Sequence, residues 1–285
     1  MFGVSPAFVV SLYGKQFSVK DFCQALEVVK ELGFSGFQPE ILIKEALPDW
    51  INSGSKTISK KAREFGLQAT QFVAHFMMEN FSTPEEVNSD SGLEDLKNVV
   101  EIAKHFDNCR VLTIPVGPFS IQWDQIQAMN LSWALDVKKR FVEKINKFLE
   151  LIKESGLVFA LEILPFSVVG GIEGFLVICN ELNSPDLGIN LDTGHAWACR
   201  EIVPLLPFRL KDRIFGLHLC DNYSTENLSL APGKGSIEWQ PFMKNLLSSG
   251  HKASFDIEIG CKPEDVKSEY QAGLRYIKSL VTLSQ

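Results

Sequence analysis

The chain has 285 residues, 45% of them hydrophobic and 22% charged, with a formal net charge of −7. That profile is globular and excludes disordered, collagen-like and disulfide-scaffold classes. The acidic balance leaves no electrostatic footprint for nucleic acid or an anionic membrane, and the longest charge-free stretches, 1–14 and 111–123, are too short to span a bilayer.

Short apolar runs alternate with longer segments of helical spacing along the whole chain. The runs lie near 4–12, 34–38, 67–75, 109–114, 157–163, 187–192, 213–219 and 253–259. The first is read as a buried strand rather than a signal peptide, because no Lys or Arg precedes it and Tyr13-Gly14-Lys15 is a poor cleavage site. The helical segments lie near 18–32, 49–65, 90–106, 131–155, 171–183, 196–207, 237–249 and 263–281. Ser18, Ser91 (with Glu94 three residues on) and Ser236 are read as helix N-caps. Gly33, Gly66, Gly156 and Gly250 stand where helices hand over to strands.

Eight strand–helix units in series predict a parallel sheet, and eight is the number that closes a (β/α)8 TIM barrel, here an α/β single domain over residues 1–285. A doubly wound open sheet would want a glycine-rich phosphate turn after its first strand, and Leu12-Tyr13-Gly14-Lys15-Gln16 is not one. Two long loops, 76–89 and 115–130, fall on the side where barrels place active sites; their Phe76, Phe119 and Trp123 either wall a pocket or pack down on the rim. No two of the six cysteines have Cys-x-x-Cys spacing, so neither a zinc ribbon nor a redox motif is expected, and reduced thiols in a cytoplasmic protein are the simplest reading.

The last four runs carry the chemistry. Side chains alternate across a strand with period two. One face is large and apolar throughout: Leu157, Phe159, Leu161; Leu187, Ile189, Leu191; Phe215, Leu217, Leu219; Phe255, Ile257, Ile259. The other face is small or polar and must line the barrel interior. Its last members are Glu162, Asp192, His218 and Glu258. A single strand-end acid is readily a salt-bridge partner or a helix cap. Four such groups on consecutive strands converge, and three carboxylates in a confined space cannot all stay ionised unpaired. A divalent cation resolves that conflict. Three oxygen donors and one imidazole suit Mn2+, the first expectation, or Mg2+, Co2+ or Zn2+. His195, three residues after Asp192, could hold Asp192, bind substrate or ligate a second metal, and its place at the mouth favours a substrate contact over a structural role; His75, ending the third run, faces the same mouth with a weaker case of the same kind, and Glu40, just past the second run, is a lower-ranked candidate. Lys234, in the loop after the seventh run, could neutralise an anionic group on a substrate or could simply be solvated.

Five segments together resemble the xylose isomerase-like barrel superfamily: Ala160-Leu161-Glu162, Leu191-Asp192-Thr193-Gly194-His195-Ala196, His218-Leu219-Cys220-Asp221-Asn222, Pro232-Gly233-Lys234-Gly235-Ser236-Ile237 and Asp256-Ile257-Glu258-Ile259. The superfamily includes sugar isomerases, ketose 3-epimerases, inosose dehydratases and AP endonucleases. The resemblance implies metal ligation by Glu162, Asp192, His218 and Glu258, and proton transfer by the two glutamates on opposite faces of a substrate carbon beside a carbonyl. It implies a metal-dependent isomerase or epimerase of a small sugar or polyol-derived ketone working through an enediolate, with an inosose dehydratase-like lyase as the alternative on the same residues. An AP endonuclease fits less well: Asn227-Leu228-Ser229 stands where the resemblance would place a further metal-binding Asp-x-His pair, and Thr113-Ile114-Pro115 lacks the histidine of the fourth strand. Val168 and the lack of arginine between 214 and 234 depart from the D-psicose-like epimerases. A non-catalytic sugar-binding barrel is the remaining reading. The expected partner is a small molecule, with a homo-oligomer allowed and neither nucleic acid nor membrane expected.

Overall fold

The computed structural model describes residues 1–122 and 130–284. Nine parallel strands are present among the described residues: β1 (Phe2–Val4), β2 (Gly36–Phe37), β3 (Gln68–Ala69), β4 (Phe72–Val73), β5 (Val111–Val116), β6 (Val158–Ile163), β7 (Leu187–Asp192), β8 (Ile214–His218) and β9 (Phe255–Ile257). They form two sheets, β3-β2-β1-β9 and β4-β5-β6-β7-β8. Parallel bridges Glu40–Val73 and Leu219–Ile257 join these sheets on both sides, so the strands curl into a closed barrel. The apolar run at 67–75 supplies both β3 and β4, broken at Thr70-Gln71, so nine strands fill the eight positions expected of a TIM barrel. Trp123 lies outside the described residues.

The first run is not one strand. β1 ends at Val4, and the helix Ala7–Tyr13 follows. A short apolar run satisfies either period, and Pro6, which is tolerated at a helix start, turns the chain. The segment 196–207 also differs. A short helix runs Thr193–Ala198 and a second Leu206–Leu210, separated by Arg200 at φ 65°. Ser18 makes the expected reciprocal cap with Asp21. Ser91 does not cap: its hydroxyl donates to Glu86 Oε2, and the helix Leu93–Ala103 begins after Gly92 at φ 84°. Ser236 also lies short of its helix, which runs Trp239–Ser248 after Glu238. No helix among the described residues is long and apolar enough to cross a membrane.

The apolar outer face packs on helices, as for Phe159, whose ring centroid lies 6.1 Å from that of Phe148 in the helix Leu131–Ile152. The inner face is polar and small. A side chain at Gly216 would put its first carbon 2.5 Å from Gln71 Oε1 and 2.7 Å from Asn190 Oδ1. Between β7 and β8 the register shifts by one residue: Ile189 pairs with Ile214, Asn190 with Gly216 and Asp192 with His218. The extra residue, Phe215, breaks the expected alternation. Its ring fills the space that a side chain at Gly188 would need. Such bulges re-aim the side chains beyond them, and here the realigned pair is Asp192 and His218 at the barrel mouth.

Phe76 and Phe119 pack down against the core beneath the rim. The segment His75–Phe81 and the helix Pro84–Asn88 are held from below by Lys144, a buried residue of the helix Leu131–Ile152. Its Nζ donates to Asn80 O (3.0 Å), Glu86 O (2.6 Å) and Ser91 Oγ (2.9 Å). Burial brings its ammonium down to about 8. Lys144→Ala strands buried carbonyls and is expected to cost on the order of 2–4 kcal/mol, read as a fall in Tm of roughly 5–15 °C; an unchanged Tm would show this anchor to be idle.

Candidate metal centre

Each of the four mouth-facing groups is fixed by the strand that carries it. Glu162 lies in β6, Asp192 and His218 are the last residues of β7 and β8, and Glu258 follows β9, its backbone N–H donating to Leu219 O. Their side chains meet at one atom. His218 Nδ1 lies 2.6 Å from Glu162 Oε1, 3.0 Å from Glu258 Oε2 and 3.9 Å from Asp192 Oδ2. Side-chain exposure is 7% for Glu162, 1% for Asp192, 3% for His218 and 14% for Glu258, so water does little to screen their charges.

A chain of amides beneath them sets the histidine's orientation. Asp256, inside the barrel, accepts from Ser254 Oγ (2.5 Å) and from Gln38 Nε2 (3.0 Å). Gln38 therefore turns its carbonyl to His218 Nε2, 2.8 Å away. That nitrogen must donate, so Nδ1 is the one presented to the carboxylates. On the other side Thr113 Oγ1 donates to Gln71, Gln71 Nε2 to Asn190 Oδ1 (2.8 Å), and Asn190 Nδ2 to Glu162 Oε1 (3.2 Å). Gly3 leaves room for Asp256: a side chain there would start 2.0 Å from Asp256 Oδ1.

Asp192 is held from its far oxygen. Its Oδ1 accepts from His195 N (2.6 Å), Asn227 Nδ2 (3.3 Å) and Cys220 Sγ (3.4 Å). The same carboxylate thus caps the helix Thr193–Ala198 and turns Oδ2 to the cluster. Asp221, three residues past His218, has a different task. Its carboxylate accepts from the N–H groups of Asn222, Gly233 and Ile237 and from Trp239 Nε1. The Pro-Gly-Lys-Gly turn wraps this buried acid. Gly233 takes φ 91°, and a side chain at Gly235 would start 2.3 Å from Asp221 Oδ1.

The electrostatics follow from burial and crowding. Burial works against a charged His218 ring, but the Glu162 and Glu258 carboxylates hold its pKa well above the usual value. Burial also works against Glu258, and the His218 ring nonetheless brings its pKa down to about 2. Asp192 is pushed up to about 6, chiefly by burial. Glu162, Asp192, Glu258 and the His218 ring would together hold a divalent cation, which three carboxylates with one imidazole nitrogen suit chemically. Ligand atoms of Glu162, Asp192 and His195 lie within 4.8 Å of one another, as do those of Asp192, Cys220 and Glu258.

The centre forms one end of a cleft of about 210 Å3 lined by Glu162, His195, His218 and Glu258, and by Glu40, His75 and Lys15 on other walls. His195 Nδ1 is buried there without a hydrogen-bond partner. His75 Nδ1 lies 3.4 Å from Glu40 Oε1. Burial lowers and the Glu40 carboxylate raises the His75 pKa, which ends above its usual value; burial raises that of Glu40. Lys234 is not brought to the cleft. It is exposed, with Nζ held by Glu269 at 2.6 and 2.7 Å. Asn190 and Asp256, each two residues before a mouth-facing acid in its own run, carry no role in the sequence reading. It missed Gln38, Gln71, Cys220 and Asn227 as partners of the four central groups, and the position of Gln38 at the end of its run was the one signal available. Gln38→Leu removes the acceptor that orients His218 and is expected to weaken Mn2+ or Zn2+ binding by ~10–100-fold in calorimetric titration; wild-type affinity would contradict the orienting role.

Comparison with known proteins places this geometry in context. No curated protein matches the chain. Among solved structures, a protein called IOLI with a bound zinc atom superposes with TM-score 0.74 at 15% identity, covering 100% of this chain and 99% of that one. D-psicose 3-epimerase with D-tagatose, from Clostridium cellulolyticum H10, gives TM-score 0.75 at 16% identity, covering 98% and 99%. The 3-keto-D-glucoside 4-epimerase YcjR from E. coli gives TM-score 0.75 at 14% identity, covering 98% of each chain. At these identities the likeness is one of fold. A family model described as xylose isomerase-like TIM barrel matches residues 26–280, nearly the whole length, and the chain belongs to that family.

Proposed function

We propose that the protein is a metal-dependent isomerase or epimerase of a small sugar or polyol-derived ketone. The observation that carries this reading is the placement of two glutamate carboxylates, Glu162 and Glu258, within 3.0 Å of one histidine nitrogen at the end of a small cleft. The fold likeness to sugar epimerases supports it. Glu162, Asp192, His218 and Glu258 would hold a divalent cation, which when bound supplies Lewis-acid polarisation of a substrate carbonyl. Mn2+ is our first assignment; the zinc in the IOLI structure makes Zn2+ the other cation to test.

The protein's own residues supply the proton chemistry. Glu162 and Glu258 both lie within 3.0 Å of the His218 nitrogen. One takes the proton from the carbon beside the carbonyl, and the other returns a proton, to the opposite face in epimerisation or to the neighbouring carbon in isomerisation. Asn190 steadies Glu162 through its hydrogen bond, so the carboxylate keeps its aim through the transfer. The buried walls limit water at the reacting carbon. His195 and His75 face the cleft and serve as hydrogen-bonding contacts to substrate hydroxyls.

The test is conversion of a panel of ketoses, inososes and hydroxy-ketones by the metal-loaded protein in D2O. We expect deuterium at the carbon beside the carbonyl in a product of otherwise unchanged mass. Loss of water in the product would assign a lyase instead. Glu258→Gln is expected to lower turnover by ~10²–10⁴-fold; full activity in that variant would refute the proton-transfer role.

A further inference from the structure

Glu40, beside His75 in the wall of the cleft, has no role in the proton transfer above, yet its backbone is held by pairing to the neighbouring strand. Glu40 is 3% exposed. Its backbone lies in a parallel bridge with Val73, flanked by hydrogen bonds from Val73 N to Pro39 O (2.9 Å) and from Ile41 N to Val73 O (3.0 Å). The next residue, Ala74, donates to Thr113 O at 2.9 Å, which ties this wall to β5. The carboxylate therefore sits on a fixed strand end rather than on a loop. Its Oε1 is matched to His75 Nδ1, while its Oε2 is buried with no hydrogen-bond partner.

A carboxylate oxygen shielded from water and left unmatched is costly unless a ligand completes it. Glu40 also lines the cleft that holds the candidate metal centre. The His75 ring beside it works against burial and favours the ionised form of Glu40, and an ionised carboxylate oxygen only accepts, so the completing group must donate a hydrogen. A hydroxyl does this. A phosphate or carboxylate group at neutral pH offers acceptor oxygens and negative charge, and it would meet Glu40, Glu162 and Glu258 in the same cleft. Lys15 also lines the cleft, but it is exposed at the rim.

We infer that Glu40, oriented by His75, is the hydroxyl-reading residue of the cleft, and that it selects a neutral polyhydroxylated ligand over a phosphorylated one. The inference rests on the functional reading above for the position of the carbonyl end and names the residue that holds the remote end. Glu40 accepts from a hydroxyl on a carbon other than the reacting one. His75, with Nδ1 turned to Glu40, keeps Nε2 for a second contact.

The test is calorimetric and saturation-transfer NMR titration of the Mn2+-loaded protein with the neutral ketohexoses, their monodeoxy analogues, and fructose 6-phosphate and tagatose 6-phosphate. Wild-type protein is expected to bind at least one neutral ketohexose, and its phosphate ester more weakly. Glu40→Gln, which keeps the shape but puts an amide nitrogen in reach, is expected to weaken that ketohexose by about tenfold to a hundredfold. One monodeoxy analogue should bind wild type and variant alike, a result that a merely structural role for Glu40 would not produce. Glu40→Asp, which withdraws the carboxylate by one methylene, serves as the second variant. Mn2+ affinity, read in the same samples, should stay within about threefold of wild type and reports folding at the opposite wall. Undiminished ketohexose binding in Glu40→Gln overturns the inference, as does a wild type that binds no neutral ketohexose or prefers the phosphate ester. Failure of Mn2+ to bind sinks the functional reading instead; the Glu40 comparison is then made on metal-free protein by the same titrations.

Discussion

Three carboxylates and one imidazole nitrogen crowd the upper end of this barrel, and their mutual repulsion is the constraint that organises the rest. Buried acids at such separations cannot all hold charge without a positive partner. In this chain the partner is the His218 ring, raised well above its usual pKa by Glu162 and Glu258. Its Nδ1 marks the point where the four side chains meet. A cation placed there adds charge where the repulsion is greatest, and the protein supplies oxygen and nitrogen donors from four separate strands to receive it. Two buried polar atoms without a partner, Glu40 Oε2 and His195 Nδ1, belong to residues that line the same cleft.

Holding such groups in place takes more structure than the groups themselves. The barrel interior below the mouth is a layer of amides and hydroxyls instead of branched aliphatics, and each amide is oriented by the next. Asp256 decides which way Gln38 faces, and Gln38 decides which nitrogen His218 presents. The Asn190 and Gln71 amides do the same for Glu162. Glycines at 3, 188 and 216 yield the volume these side chains and the Phe215 ring occupy. Orientation by a chain of buried hydrogen bonds is stiff, and stiffness matters where a proton must pass between fixed atoms.

Much of this was legible in the sequence, for a reason that is purely geometric. Parallel strands in a closed barrel repeat with period two and stand in near register, so the last inward residues of neighbouring strands must converge. Glu162, Asp192, His218 and Glu258 follow from that rule, and the structure brings them together. Their supporting partners did not follow. Gln38 lies 180 residues from His218, and Gln71 lies 119 from Asn190, so only closure of the barrel makes them neighbours. Neutral amides also carry no charge pattern to notice. The bulge at Phe215 was hidden because an apolar residue fits either face. Ser91 and Ser236 matched a local capping signature, but the helices beside them start later, after Gly92 and Glu238. The sequence leaves Lys234 open as a contact to an anionic substrate group or a solvated lysine; in the structure it is exposed and paired with Glu269 of the last helix.

Anomalous diffraction from crystals grown with Mn2+ or Zn2+ locates the cation. A single strong peak is expected at the barrel mouth, with His218 Nδ1 as its nearest nitrogen, oxygens of Glu162, Asp192 and Glu258 around it, and His218 Nε2 still on the Gln38 carbonyl. A peak on Nε2, or a cation bound elsewhere while the His218 ring stays paired with its two glutamates, would contradict this placement.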